Sequence, residues 1–220
     1  MLLKEIQLTA NHVNELFIFY EELMQLPVEK TANAIEIIIG DSKIIFKEAE
    51  IHQHPYYHFA INIPSNKIEE ALLWLQSKTE LVYLNDYKSY IADFKNWHAK
   101  SVYFIDPAEN IVELIARFDL NDNVTEKFSS EHFRSISEIG IVFPVENFDT
   151  SIEKLLAETE LTYFEKQPAL PQFRAIGDNH GLFIAVTEHR TWYGSNGRQA
   201  GLFPMKIIFD NDGMTKEISF

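Results

Sequence analysis

The sequence predicts an α+β chain built as a tandem array of units, each a strand, a helix and then two or three further strands. Three observations lead there. Short apolar strands and single amphipathic helices recur with a period of roughly 50 to 60 residues, the mark of a repeated supersecondary unit. Turn residues such as Gly40-Asp41 separate runs that alternate as half-buried strands do. The chain of 220 residues is 46% hydrophobic, enough for a packed core.

Residues 2–9 read as the first strand. Residues 13–24 follow as an amphipathic helix, because Val13, Leu16, Phe17, Tyr20, Leu23 and Met24 share one face at helical spacing. Strands at 34–39 and 42–47 flank the Gly40-Asp41 turn. The second unit opens with a strand over 57–63 that stops at Pro64. Ser65 or Asn66 can cap the next helix, which carries Ile68, Ala71, Leu72 and Leu75. Strands near 81–84, 100–105 and 111–116 complete this unit, around a polar and aromatic insertion at 85–97.

Residues 119–131 are polar, poor in branched side chains, and read as a linker. The third unit has a strand over 136–143, a helix carrying Phe148, Ile152, Leu155 and Leu156, and strands near 161–164, 172–176 and 182–186. A fourth unit starts at 203–209, lacks a helix, and ends in a strand over 215–220. The expected organisation is a first paired domain over 1–118, the linker, and a second, incomplete domain over 132–220. The sheet face of the last unit has no helix to cover it, so it is expected to pack on the first half or on a second copy, as a homodimer.

Composition narrows the function. A formal net charge of −14 argues against nucleic acid or an anionic membrane as partner. With no cysteine, disulfide frameworks, thiolate metal sites and thiol nucleophiles are excluded. The N-terminus has no leader pattern and no apolar run reaches membrane-span length, so a soluble cytoplasmic protein is the expectation. A phosphate loop, a Gly-x-Ser-x-Gly elbow and a dinucleotide fingerprint are all missing.

The most informative stretch is residues 96–116. An apolar strand runs into Asp106-Pro107-Ala108-Glu109-Asn110, a sequence of turn formers, and returns as a strand that carries Glu113 inside an apolar run. A carboxylate there is costly unless something pairs with it, so Glu113 points to a site. Alternation along the strands places Glu5, His58 and Glu138 at the same point of three first strands, on the polar faces. His98 precedes a strand at the rim and is an acid/base candidate. The loop-like tract 191–198 carries Trp192 and Tyr193, which either cover the open end of the second half or pack on the surface.

The 101–116 hairpin resembles the closing hairpin of the vicinal oxygen chelate superfamily, which includes glyoxalase I, bleomycin-binding proteins, fosfomycin-modifying enzymes and extradiol dioxygenases. There an Asp-Pro-x-Gly-Asn turn leads into a strand whose Glu binds a metal; Glu109 stands where that family has Gly. The resemblance is strongest over 1–118. It implies βαβββ modules whose sheets form cups with helices outside. It puts Glu5, His58 and Glu113 forward as one metal site in the first cup, with Glu113 also catalytic beside His98. The implied cofactor is a divalent ion (manganese, zinc, nickel or iron) and the partner a small oxygen-bearing substrate. Further ligand positions, near Ile45 or Phe46 and at Ile184, are apolar. The second cup is therefore expected to lack a site, with Glu138 simply a partnered carboxylate. Two functions follow: a metal-dependent lyase or dioxygenase, or a metal-free protein that sequesters an aromatic or amphipathic ligand, as bleomycin-binding relatives do.

Overall fold

A computed structural model describes residues 1–50 and 52–220. The first unit is β1 (Leu2–Ala10), α1 (Val13–Phe17), β2 (Val28–Lys30), β3 (Ala34–Ile39) and β4 (Ser42–Glu48); α1 continues as a π-helical stretch, Ile18–Leu23. The second is β5 (His58–Ile63), α2 (Ile68–Gln76), β6 (Ile91–Phe94), β7 (Ala99–Ile105) and β8 (Ile111–Arg117). The third is β9 (Ser135–Phe143), α3 (Phe148–Thr159), β10 (Phe173–Asp178) and β11 (Gly181–Thr187). A hairpin of β12 (Met205–Asn211) and β13 (Met214–Ser219) closes the chain. No helix among the described residues is long and apolar enough to cross a membrane.

Most expected elements form within a residue or two. The segments near 81–84 and 161–164 make only isolated bridges, such as Leu81 to Phe104 and Tyr163 to Ile176. Neither Ser65 nor Asn66 caps α2. Instead the Ser65 hydroxyl donates to the Arg117 carbonyl at 2.7 Å, and the Asn66 side chain bridges to the backbone of Val124.

The strands join in one continuous sheet whose main path runs β2-β3-β4-β1-β9-β5-β8-β7-β6. Its decisive feature is which first strands meet. β5 pairs antiparallel with β9, Ala60 opposite Glu138, whereas β1 pairs antiparallel with β12 and touches β9 only at Leu3. The second unit is therefore joined to the third, and the first to the closing hairpin. Pairing runs across residues 119–131, so it does not follow a division into 1–118 and 132–220. The second half is also not merely a support, since β9 and β11 build one side of the second unit's cup.

Alternation holds along β5. Tyr57, just before it, and Phe59, Ile61 and Ile63 enter the main apolar core with helix residues such as Ala71 and Leu75. His58, Ala60 and Asn62 face the other way. The closing hairpin is covered without a helix of its own, because Met205, Ile207 and Phe209 enter the same core.

Candidate metal centre

The hairpin between β7 and β8 is fixed by its turn. One oxygen of Asp106 accepts the backbone N–H groups of Ala108 and Asn110, both at 3.0 Å, and the other accepts the Tyr20 hydroxyl and the Asn110 amide. Glu109 sits at φ 69°, the left-handed region that favours glycine. Its carboxylate pairs with Arg198 at 2.8 Å, which ties tract 191–198 to the turn. This anchored turn sets the register in which Glu113 faces the cup.

Two adjacent rows of side chains cross the sheet. Tyr103, Glu113, Ala60, Glu138 and Leu182 are successive partners across β7, β8, β5, β9 and β11. In this row the small Ala60 leaves open space between the two carboxylates. In the neighbouring row His58 lies between Ile111 and Ile184, with Gly140 of β9 next to it. Gly140 is required there: a Cβ would come within 2.5 Å of the Trp192 ring, which packs 5.2 Å from the His58 ring. Gly194 is likewise pressed against Tyr103, where a Cβ would lie 2.4 Å from the ring. Tract 191–198 thus covers the site and does not pack idly on the surface.

His58, Glu113 and Glu138 are all buried, and each offers one ligand atom within 4.8 Å of the others. His58 Nε2 is 3.7 Å from Glu113 Oε2 and 4.0 Å from Glu138 Oε2. Three donors sharing one ion at about 2.0–2.2 Å lie about 3.0–3.7 Å from one another, so a small inward shift of these side chains would bring the three onto one divalent ion. His58 Nδ1 donates to the Ile111 carbonyl at 3.2 Å, which leaves Nε2 bare toward the carboxylates. The other oxygen of Glu138 accepts the buried Arg117 guanidinium, whose Nε also donates to Ser137 Oγ at 3.0 Å.

Burial dominates the electrostatics. It drives the His58 pKa down to about 4, helped by the positive charge of Arg190 and opposed by the bond to Ile111. Burial, and then the Glu138 charge, push Glu113 up to about 8, against the pull of the Ser101 and Tyr103 hydroxyls and Arg117. Burial also raises Glu138, with Arg117 opposing. Tyr103 is raised well above the usual phenol value by burial and by Glu113, so its hydroxyl remains a proton donor.

Of the residues expected from sequence, His58 and Glu113 meet here and Glu5 does not. Glu5 stands on β1, away from these three residues, partly buried and paired with Lys43 at 3.2 Å. Glu138 takes the third position, so the cup expected to be empty of a site contributes one residue of this cluster. The shared strand position of Glu138 and His58 was readable from the sequence; which first strands pair was not. His98 turns to Asp119 at 2.8 Å, is largely exposed, and does not line the cavity. Arg117 and Arg190 were also missed; Arg117 follows Glu113 by four residues on one strand and so shares its face.

Above the three residues lies a cavity of about 250 Å³. Phe94, Trp97, Tyr103, Trp192 and Tyr193 form much of its wall, with Ile184 and Arg190.

No family model matches the sequence, and no curated protein matches it. Solved structures do match. A candidate dioxygenase from Bacillus subtilis subsp. subtilis str. 168 superposes on 100% of this chain and 84% of its own, with TM-score 0.60 and 13% identity. A lactoylglutathione lyase from Agrobacterium tumefaciens covers 51% of this chain and 90% of its own, with TM-score 0.42 and 16% identity. A glyoxalase/bleomycin resistance protein/dioxygenase from Nocardioides covers 57% and 89%, with TM-score 0.44 and 15% identity. The whole-chain match carries the conclusion on architecture: the chain has the fold of the vicinal oxygen chelate superfamily, as its 101–116 hairpin suggests.

Proposed function

We propose that the chain is a divalent-metal protein of the glyoxalase/dioxygenase kind, acting on a small oxygen-bearing molecule in the cavity above His58, Glu113 and Glu138. The observation that carries this reading is the setting of His58. Its Nδ1–H is spent on the Ile111 carbonyl, and its bare Nε2 faces two carboxylates. Acceptors turned on one another in a buried site need a cation or a proton between them. Histidines that bind metals are commonly oriented by such a second hydrogen bond. One imidazole and two carboxylates suit manganese, zinc, nickel or iron. When bound, such an ion polarises a carbonyl or stabilises an enediolate.

The chain's own groups define the rest. Arg117 favours the ionised form of Glu138 against burial and holds its side chain in place. Tyr103 keeps a proton available beside Glu113. The Trp192 ring shields His58 from water. Glu113, near a pKa of about 8, can exchange a proton close to neutral pH.

A second reading, a metal-free binding protein, draws on two observations. Ile184 offers no fourth ligand, and Arg117 already occupies one oxygen of Glu138. In that case the proton on Glu113 relieves the cluster.

Elemental analysis of protein purified without chelators separates the two. About one equivalent of metal per chain is expected, or its uptake by chelator-treated protein on adding manganese, zinc, nickel or iron. His58→Ala should abolish it with only a modest change in stability. No metal and no uptake would leave the binding reading.

A further inference from the structure

The chain has five arginines. Arg117, Arg134, Arg174 and Arg198 each pair with a carboxylate. Arg190 has no such partner among the described residues, although the chain carries a large excess of acid. Its side chain lines the cavity above the candidate metal centre, stacked on Phe173 at 5.0 Å. Its side-chain hydrogen bond, to the Thr191 carbonyl, is long at 3.4 Å. The backbone beneath it is held in place, since the Arg190 carbonyl accepts the Ala200 N–H at 2.7 Å.

We infer that the cavity takes a flat aromatic or cyclic molecule bearing one carboxylate, with Arg190 as the group that reads the carboxylate. This rests on the proposed site but not on the metal itself. Phe94, Trp97 and Tyr193 line the cavity with aromatic rings that suit an apolar body. A guanidinium resting over the Phe173 ring keeps its N–H fork available, and such a fork can grip a carboxylate bidentately. Arg117 is already taken by Glu138. Arg190 lines the cavity as the one arginine with no carboxylate partner among the described residues, and a monoanion supplies that partner. A half-buried cation without a partner is an unfavourable arrangement that a ligand anion relieves.

The test compares phenylacetate with its neutral isostere phenylacetamide on the full chain, by calorimetry and by tryptophan fluorescence, which Trp97 and Trp192 report from the cavity wall. Titrations are run with chelator and with saturating zinc. Phenylacetate is expected to bind about tenfold or more tighter than the amide, the scale of a hydrogen bond to a charged group. In Arg190→Gln the preference should vanish while amide affinity stays within about twofold of wild type, which also shows that the variant folds; Arg190→Lys should recover part of it. Equal affinities in the wild type, a preference that survives Arg190→Gln, or binding of neither probe would each overturn the inference. An Arg190-dependent preference in a protein that takes up no metal would sink the metal reading and leave this one standing. Metal uptake without the preference would do the reverse.

Discussion

Replacing Arg117 with methionine is expected to lower stability by about 3–5 kcal/mol at neutral pH, the range seen when one partner of a buried ion pair is removed. Arg117 is 1% exposed, pairs with Glu138, donates to Ser137, and lies over the Trp97 ring at 5.5 Å. Without it Glu138 is a buried carboxylate with no counter-charge. Its pKa, already raised by burial, then rises further. A carboxyl whose folded pKa lies above its unfolded value contributes stability that is present at low pH and lost as pH rises. The destabilisation should therefore be larger at pH 8 than at pH 5. Urea unfolding at both values measures it, and Glu138→Gln added to Arg117→Met should restore part of the loss. A change below about 1 kcal/mol with no pH dependence would mean that the pair is not the buried one described.

Metal-free protein is expected to lose about 2 kcal/mol of stability from this cluster between pH 6.5 and 8, and Glu113→Gln to abolish that loss. Glu113 has a folded pKa of about 8 against an ordinary value of 4.5. The unfolded chain releases this proton above pH 4.5 while the folded chain keeps it, so stability falls as pH rises toward 8. His58 acts in the opposite sense. Its folded pKa of about 4 lies below the ordinary 6.5, so its contribution to stability rises between those values and is complete above them. The two oppose each other up to about pH 6.5, and beyond that the Glu113 decline stands alone at about 1.4 kcal/mol per pH unit. Other groups titrate alike in both proteins, so the difference between wild type and Glu113→Gln is the quantity to measure. Saturating zinc should flatten the wild-type slope, because a ligand carboxylate is ionised. Identical slopes with and without the substitution would contradict the burial of Glu113.

The strands, their faces and the turn that aims Glu113 are legible in the sequence because they are local. Asp106, Pro107 and Asn110 are turn formers, and alternation alone sorts His58, Ala60 and Asn62 from Phe59 and Ile61. Partner choice is not local. Glu5, His58 and Glu138 occupy equivalent points on three first strands, and nothing in the neighbourhood of each says which two first strands will pair. Chain order favours joining the first unit to the second, whereas the sheet joins the second to the third and gives β1 to β12. That one long-range choice moved Glu5 out of the site and Glu138 in. Arg190 was hidden for a related reason: it sits beside a tract without periodicity, and only the ties of that tract to Glu109, Gly140 and Tyr103 decide that Trp192 covers the cavity. Arg117 was legible in principle, since strand alternation puts it on the Glu113 face, but its partner Glu138 comes from the strand that sequence order had assigned elsewhere.

That His58, Glu113 and Glu138 form one metal centre is tested most directly by anomalous diffraction at the zinc edge from crystals grown with zinc. A single strong peak is expected about 2.0–2.2 Å from His58 Nε2 and from one carboxylate oxygen each of Glu113 and Glu138. A strong peak at Glu5, or an ordered cluster with no peak at saturating zinc, would contradict it.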